Sequence, residues 1–253
     1  MNKRLNDIYC VFRIHLARLR REAGPFLLAA LVFPAGMYLF AGAVARQTEA
    51  VVSPALGRRF LAASMVFSLS LTAISWLGYL LLENRFTGRL KLFATLPVAP
   101  SSYVFGILIF ALLQGALGTV SLLAAARFFG APAAPDGLTG VAALMLVVIV
   151  SILALCGISV IVAARVRSFS EGSLYTDALG AGIVLLAPVY YPAESMPAVL
   201  RPLGWVLPTV YIDSALDKIL AGNPAVFGEL AVLAAMAVVL LGAGFRLLDW
   251  REE

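Results

Sequence analysis

The chain has 253 residues, of which 62% are apolar and only 13% charged, against about half and about a quarter in soluble domains. The excess lies in charge-free runs at 23–45, 60–82, 92–126 and 138–164. Each covers the roughly 20 residues that an α-helix needs to cross hydrocarbon, which excludes a soluble globular domain. Period-two alternation is absent, which argues against a β-barrel. The net charge of +5 comes from Lys and Arg beside these runs, where they fix topology, and is no sign of nucleic-acid binding.

Residues 4–22 place Ile8, Val11, Phe12, His15, Leu16 and Leu19 mostly on one side at helical spacing, with Arg13, Arg20 and Arg21 elsewhere. This is the pattern of an amphipathic helix lying on the membrane surface. The segment has no short apolar core with a small-residue cleavage site and does not read as a secretory signal. Gly24-Pro25 breaks the helix before a first span at 25–45, which Pro34 should kink. A second span is expected at 59–82. A polar segment follows at 83–100, then a third span at 101–126 and a fourth at 138–164. The fifth span is expected at 172–191, with Asp177 close to its cytoplasmic end. Residues 192–212 hold Pro192, Pro197, Pro202 and Pro208 and no uncharged run long enough to cross, so they read as two short re-entrant helices. The sixth span is 225–247. The expected fold class is an all-α integral membrane protein with a single transmembrane domain over 1–253. With both termini cytoplasmic, the inner segments carry 13 Lys and Arg and the outer segments 6, and the excess inside favours that orientation.

His15 is the one histidine and is expected to be an interfacial side chain rather than a metal ligand. Cys10 and Cys156 make neither a disulfide framework nor a metal motif. No HExxH, CxxC or GxSxG occurs, and no phosphate-binding loop of the form GxxxxGK[ST]. Catalytic residues, cofactor contacts and metal ligands are therefore not assigned, and any ATP-driven work would need an ATPase on another chain. In the polar segment, Phe86, Leu90, Phe93 and Ala94 oppose Glu83, Arg85, Arg89 and Lys91. It reads either as a basic topology anchor or as a short helix over 83–96, ended by Pro97, that docks into a partner's groove. Ser64, Ser68, Ser70, Thr72 and Ser75 make the second span polar for a lipid-facing helix. Its Ser64, Ser68 and Thr72 side is expected to face a partner helix or a pathway. Small residues such as Gly36, Gly180 and Gly182 permit close helix approach. Asp177 is the one clear acid near a span interior, either solvated near the headgroups, paired with Arg165 or Arg167, or functional. Tyr190, Tyr191, Trp205 and Tyr211 gather at the outer ends, as an aromatic belt or as a ring that touches a departing amphiphile.

The stretch ENRFTGRLKLFATLPVAPSSYVFG (83–106) resembles the signature loop of ATP-binding cassette (ABC) exporter permeases of the drug, polysaccharide and lipid export type. The matching residues are Glu83, Thr87, Gly88, Leu90, Leu96 and Pro97. The late segment is similar to that family's outer re-entrant region through Pro192, Met196, Pro197, Pro208, Thr209 and Tyr211, with Val210 inserted between Thr and Tyr. The resemblance implies a permease subunit in the plasma (inner) membrane, not an enzyme itself. A partner ATPase subunit would hold ATP and Mg. Glu83, Arg85, Phe86, Thr87, Gly88, Arg89 and Leu90 would form the coupling helix seated in that partner, with the N-terminal helix as a second interface element. Two permeases, a second copy or a sister chain, would line a path with their first, second and fifth spans. Ser64, Ser68, Thr72, Tyr190, Tyr191, Pro192, Trp205 and Tyr211 are the pathway or gate candidates, and the substrate would be an amphiphile such as a drug, lipid or lipid-linked glycan. An ion-coupled secondary transporter acting without an ATPase is the rival reading; it needs acids near the midplane, for which Asp177 is the candidate.

Overall fold

The computed structural model describes residues 3–21, 23–48, 53–95, 98–128, 135, 137–190 and 201–247. Every regular element among them is helical. In chain order, α1 (Lys3–Arg21) precedes a run made of α2 (Ala23–Leu27), a π-helical stretch (Leu28–Val32) and α3 (Phe33–Thr48). A second run joins α4 (Pro54–Ser70), a π-helical stretch (Leu71–Trp76) and α5 (Leu77–Phe86). Then come α6 (Arg89–Thr95), α7 (Pro100–Phe128), α8 (Gly137–Arg165), α9 (Phe169–Leu186), α10 (Arg201–Gly204), α11 (Pro208–Leu220) and α12 (Phe227–Leu247). Among the described residues, five stretches are long and apolar enough to cross a membrane: Ala23–Val44, Ala55–Phe86, Ser101–Phe128, Gly137–Arg165 and Phe227–Leu247. The expected fifth span, α9, has 18 residues including Glu171 and Asp177, and is not among them.

The helix ends follow from local chemistry. Ser53 caps α4 by accepting a hydrogen bond from the Leu56 amide at 3.2 Å, and Pro54 occupies the first turn, where its missing N–H costs nothing. The helix therefore starts before the expected residue 59. At α9, the Ser168 hydroxyl accepts from the Glu171 amide and the Glu171 carboxylate accepts from the Arg167 amide at 2.9 Å. These two bonds, the second reaching one residue before the cap rather than the cap amide of a capping box, start the helix at Phe169. Ala187, ahead of Pro188, is extended (φ −85°, ψ 146°), as a residue before proline prefers, and the helix stops at Leu186. Asp177 is thus near the middle of α9, not near its end as expected.

The run Ala55–Phe86 forms the interior of the bundle, 78% of its most apolar window being buried. Around it pack α7, α8, α9 and α11, while α12 lies along α8 and α1 along α7. A Cβ on Gly106 of α7 would come within 2.6 Å of Val11, so α1 docks where that side chain is missing. The docking buries Val11 and His15. His15, expected at the interface, is packed between α1 and α7, with its ring 6.0 Å from that of Phe110. Cys10 is exposed, Cys156 is buried, and both are free thiols.

The two π-helical stretches have different origins. Pro34 lacks the N–H that the Ala30 carbonyl would accept, and the first stretch lies just before it. The Ser121 hydroxyl of α7 donates to the Leu31 carbonyl there at 2.6 Å. Beside the second stretch, the Ser159 hydroxyl of α8 lies 2.5 Å from the Ala73 carbonyl and 3.1 Å from that of Ile74. Both contacts answer the requirement that carbonyls released in hydrocarbon find a donor on a neighbouring helix.

Candidate functional site

The polar segment after the second run is built around a break. The helix expected over 83–96 is two pieces: α5 ends at Phe86, and α6 begins at Arg89. The Thr87 amide and hydroxyl both donate to the Glu83 carbonyl, at 2.9 and 2.6 Å. Gly88 then turns with φ +76°, a conformation that side chains disfavour. Arg89 forms an ion pair with Glu83 at 3.3 Å. Arg85 points inward: its guanidinium donates to the carbonyls of Ala163 (2.5 Å) and Val166 (3.0 Å). It thus satisfies carbonyls that the C-terminal end of α8 leaves open, a place where a cation is favoured. Leu90 is buried, and the Phe93 ring packs at a tilt of 50° against that of Tyr103 with centroids 5.0 Å apart. The apolar side chains left outside are Phe86 and Leu92, the latter 65% exposed. Leu92 was not among the expected coupling residues; its position opposite Leu90 on a helix that begins only at Arg89 explains why.

Beside the π-helical stretches lie two cavities. One of about 280 Å³ sits between α1, α2, the second run and α7, with His15, Phe26, Trp76, Tyr79, Glu83 and Phe110 among its lining. Phe26, Trp76 and Phe110 form an aromatic cluster with centroids 5.3 to 6.3 Å apart. The second, of about 330 Å³, is bounded by Leu28, Ala29, Phe33, Ser68, Leu71, Thr72, Ser75, Trp76, Tyr79, Gln114 and Asp177. Trp76 and Tyr79 line both. Of the expected pathway hydroxyls, Ser68 and Thr72 reach this second cavity. Ser64 does not: it is fully buried and donates to the Phe60 carbonyl of its own helix at 2.7 Å. Ser70 and Ser75 join the second run to α9, donating to the carbonyls of Gly180 (2.8 Å) and Thr176 (3.1 Å). Gly36 and Gly182, expected at close helix approaches, face open space, whereas Gly180 faces Ser75. Gln114 is the cavity residue that composition hid, one amide in an otherwise apolar run. It is 1% exposed, and its Oε1 has no hydrogen-bond partner.

Tyr190 donates to the Ala63 carbonyl at 3.4 Å. Trp205 is 77% exposed, and its carbonyl accepts from the Tyr211 hydroxyl at 2.9 Å. Tyr191 and Pro192, with Met196 and Pro197, lie outside the described residues, as do Leu96 and Pro97. The second short helix expected to end by 212 continues as α11 to Leu220 and buries Ile212, Ala215, Leu216 and Ile219. It also carries Asp213, which no motif singled out. Burial, and then the neighbouring Asp217, push the Asp213 carboxyl from its ordinary 3.8 up to about 7 against the opposing pull of Arg59. At the start of α12, Glu229 is not an isolated acid: it pairs with Lys218 and accepts from the Ser214 hydroxyl at 3.1 Å.

No curated protein matches the chain by sequence. Residues 8–221, from α1 through the end of α11, match the family of ABC-2 type transporters. With five helices able to cross a membrane, the chain is a multi-pass membrane permease that belongs to the ABC-2 type transporter family.

Proposed function

We propose that this chain is the translocation subunit of an ABC exporter, working as a pair of permeases driven by a separate ATPase subunit and carrying an amphiphile. The observation that carries the reading is the family match over residues 8–221, in a sequence with no phosphate-binding loop of its own. In this reading α9 also crosses the membrane, as the fifth of six spans in chain order. At 1.5 Å per residue its 18 residues span about 27 Å, slightly less than the roughly 30 Å hydrocarbon core and at the short end of crossing helices. Its hydrogen bonds to Ser70 and Ser75 and the cavity beside Asp177 support that place, because an acid in a span faces a partner or a cavity. Both termini and the α5–α6 turn are then on the cytoplasmic side of the plasma (inner) membrane, and α10 and α11 are outside, above the path.

The α5–α6 turn is the coupling element. Phe86, Thr87, Arg89 and Leu92 form its exposed side and meet the ATPase; Glu83, Arg85, Gly88 and Leu90 give the turn its shape. When ATP closes the ATPase pair, a push on α6 passes into α5, which continues into the π-helical stretch Leu71–Trp76 beside the larger cavity. Arg85 ties the same push to the end of α8. Tyr190, Tyr191, Pro192, Trp205 and Tyr211 belong to the outer gate.

The test is co-purification of the tagged chain from its native membrane. A stoichiometric subunit bearing a phosphate-binding loop is expected, retained by the parent chain and lost from the Arg89→Glu/Leu92→Glu double variant, whose substituted side chains are exposed. A chain that purifies alone under conditions that keep it folded contradicts the reading. The position of Asp177 mid-helix beside a cavity favours one second reading, an ion-coupled transporter. Transport into ATP-free liposomes that is abolished in Asp177→Asn would carry that reading.

A further inference from the structure

We propose that the cavity lined by Asp177 and Gln114 binds a protonated amine carried on an apolar, ring-bearing body, and that cationic amphiphiles of this kind are what the permease moves. Their transport rests on the exporter reading; the binding site does not. Phe33, Leu71, Trp76 and Tyr79 give the cavity an apolar and aromatic wall, suited to a hydrophobic body and to cation–π contact. Its volume of about 330 Å³ is at the lower end of small-ligand sites. Asp177 is the one formally charged residue among its lining residues, so nothing in the wall neutralises an anionic guest. Gln114 supplies the second observation. Its side chain is buried and its Oε1 has no donor within the described chain, although buried acceptors are ordinarily satisfied. The Ser75 hydroxyl cannot serve it, because its proton goes to the Thr176 carbonyl. The exposed Asp177 carboxylate and the Gln114 amide oxygen, buried in the wall of the same cavity, both call for hydrogen-bond donors. A protonated amine brings several such donors and the compensating charge. A neutral body without donors fills the wall but leaves both acceptors bare, a neutral donor leaves the Asp177 charge uncompensated, and an anion is repelled by Asp177.

The same chemistry could arrive as a foreign amphiphile or as the amine of phosphatidylethanolamine. The test is equilibrium binding to the full chain in nanodiscs of phosphatidylglycerol, with and without phosphatidylethanolamine. The probes are rhodamine 6G (a cation with N–H groups), Nile red (neutral) and fluorescein (anionic). Rhodamine 6G is expected to bind. Asp177→Asn should weaken it by about tenfold or more and Gln114→Leu by about threefold to tenfold, the range for hydrogen bonds to charged groups and neutral partners. Asp177→Glu should restore it, and Nile red binding should be unchanged in all three, which reports an intact wall. Competition by phosphatidylethanolamine identifies the lipid amine as the natural occupant; its absence identifies a foreign one. Rhodamine 6G affinity that stays within about twofold in Asp177→Asn, or fluorescein that binds as well as rhodamine 6G, overturns the proposal. No ATP or partner enters the measurement, so failure here leaves the pairing with an ATPase untouched, and loss of that pairing leaves this site standing.

Discussion

At Gly180 a single missing side chain sets the distance between α9 and the second run. A Cβ there would run into the Ser75 hydroxyl, and the Gly180 carbonyl accepts from Ser70. Gly182, two residues along the same helix, has nothing within 4 Å of where its Cβ would be. The two glycines look alike in the sequence and differ only in what faces them. Gly180→Val is expected to cost roughly 1–3 kcal/mol, as overpacking of a filled interface does. Gly182→Val should be neutral or stabilising by roughly a few tenths of a kcal/mol, because valine is a slightly better helix former than glycine and nothing crowds its Cβ. Thermal unfolding of both variants in one detergent checks this. Equal midpoints would mean that α9 is not held as closely as its hydrogen bonds to Ser70 and Ser75 require. Arg85 carries a related lesson: its charge marked it as a partner contact, but its guanidinium is spent on the carbonyls of Ala163 and Val166, so it positions the turn that exposes Phe86 and Leu92.

At the scale of elements, α11 contains the clearest electrostatic strain. The Asp213 carboxyl is pushed up to about 7, and its Oδ1 has no hydrogen-bond partner. The folded chain therefore holds this proton more tightly than the unfolded chain. The contribution of Asp213 to stability is complete below about pH 4 and is lost as pH rises through about 7. Asp213→Asn should raise the thermal midpoint at pH 8 and change it little at pH 5. A variant less stable than the parent at pH 8 would mean that attraction to Arg59 outweighs burial and Asp217. Asp213 escaped detection in the sequence because it sits in a Pro-rich stretch read for its breaks rather than its faces. The long spans were legible because charge-free runs are a one-dimensional signal; α7 and α8 start and stop within two residues of the expected bounds. The limits of α9 were also written in the chain, in Ser168, Glu171 and Pro188, but its low apolarity led the expected span past Pro188. The break at Thr87–Gly88 was hidden by an amphipathic pattern that continues across it.

At the scale of the whole molecule, the larger cavity owes its existence to three things no local pattern contains together. These are the π-helical stretch before Pro34, the one held by Ser159, and the approach of α9 with Asp177. Sequence reasoning found Ser68, Thr72 and Asp177 separately and missed Gln114, because one amide barely alters the apolarity of α7. The proposed cycle asks this assembly to turn ATP-driven closure beneath the α5–α6 turn into rearrangement around that cavity. The most direct measurement is uptake of rhodamine 6G into inside-out vesicles containing the chain and its co-purified ATPase. Uptake is expected with ATP and Mg, absent without ATP, and abolished in Arg89→Glu/Leu92→Glu while the dye still binds. Uptake that proceeds without ATP, or that survives loss of the ATPase subunit, would contradict the account.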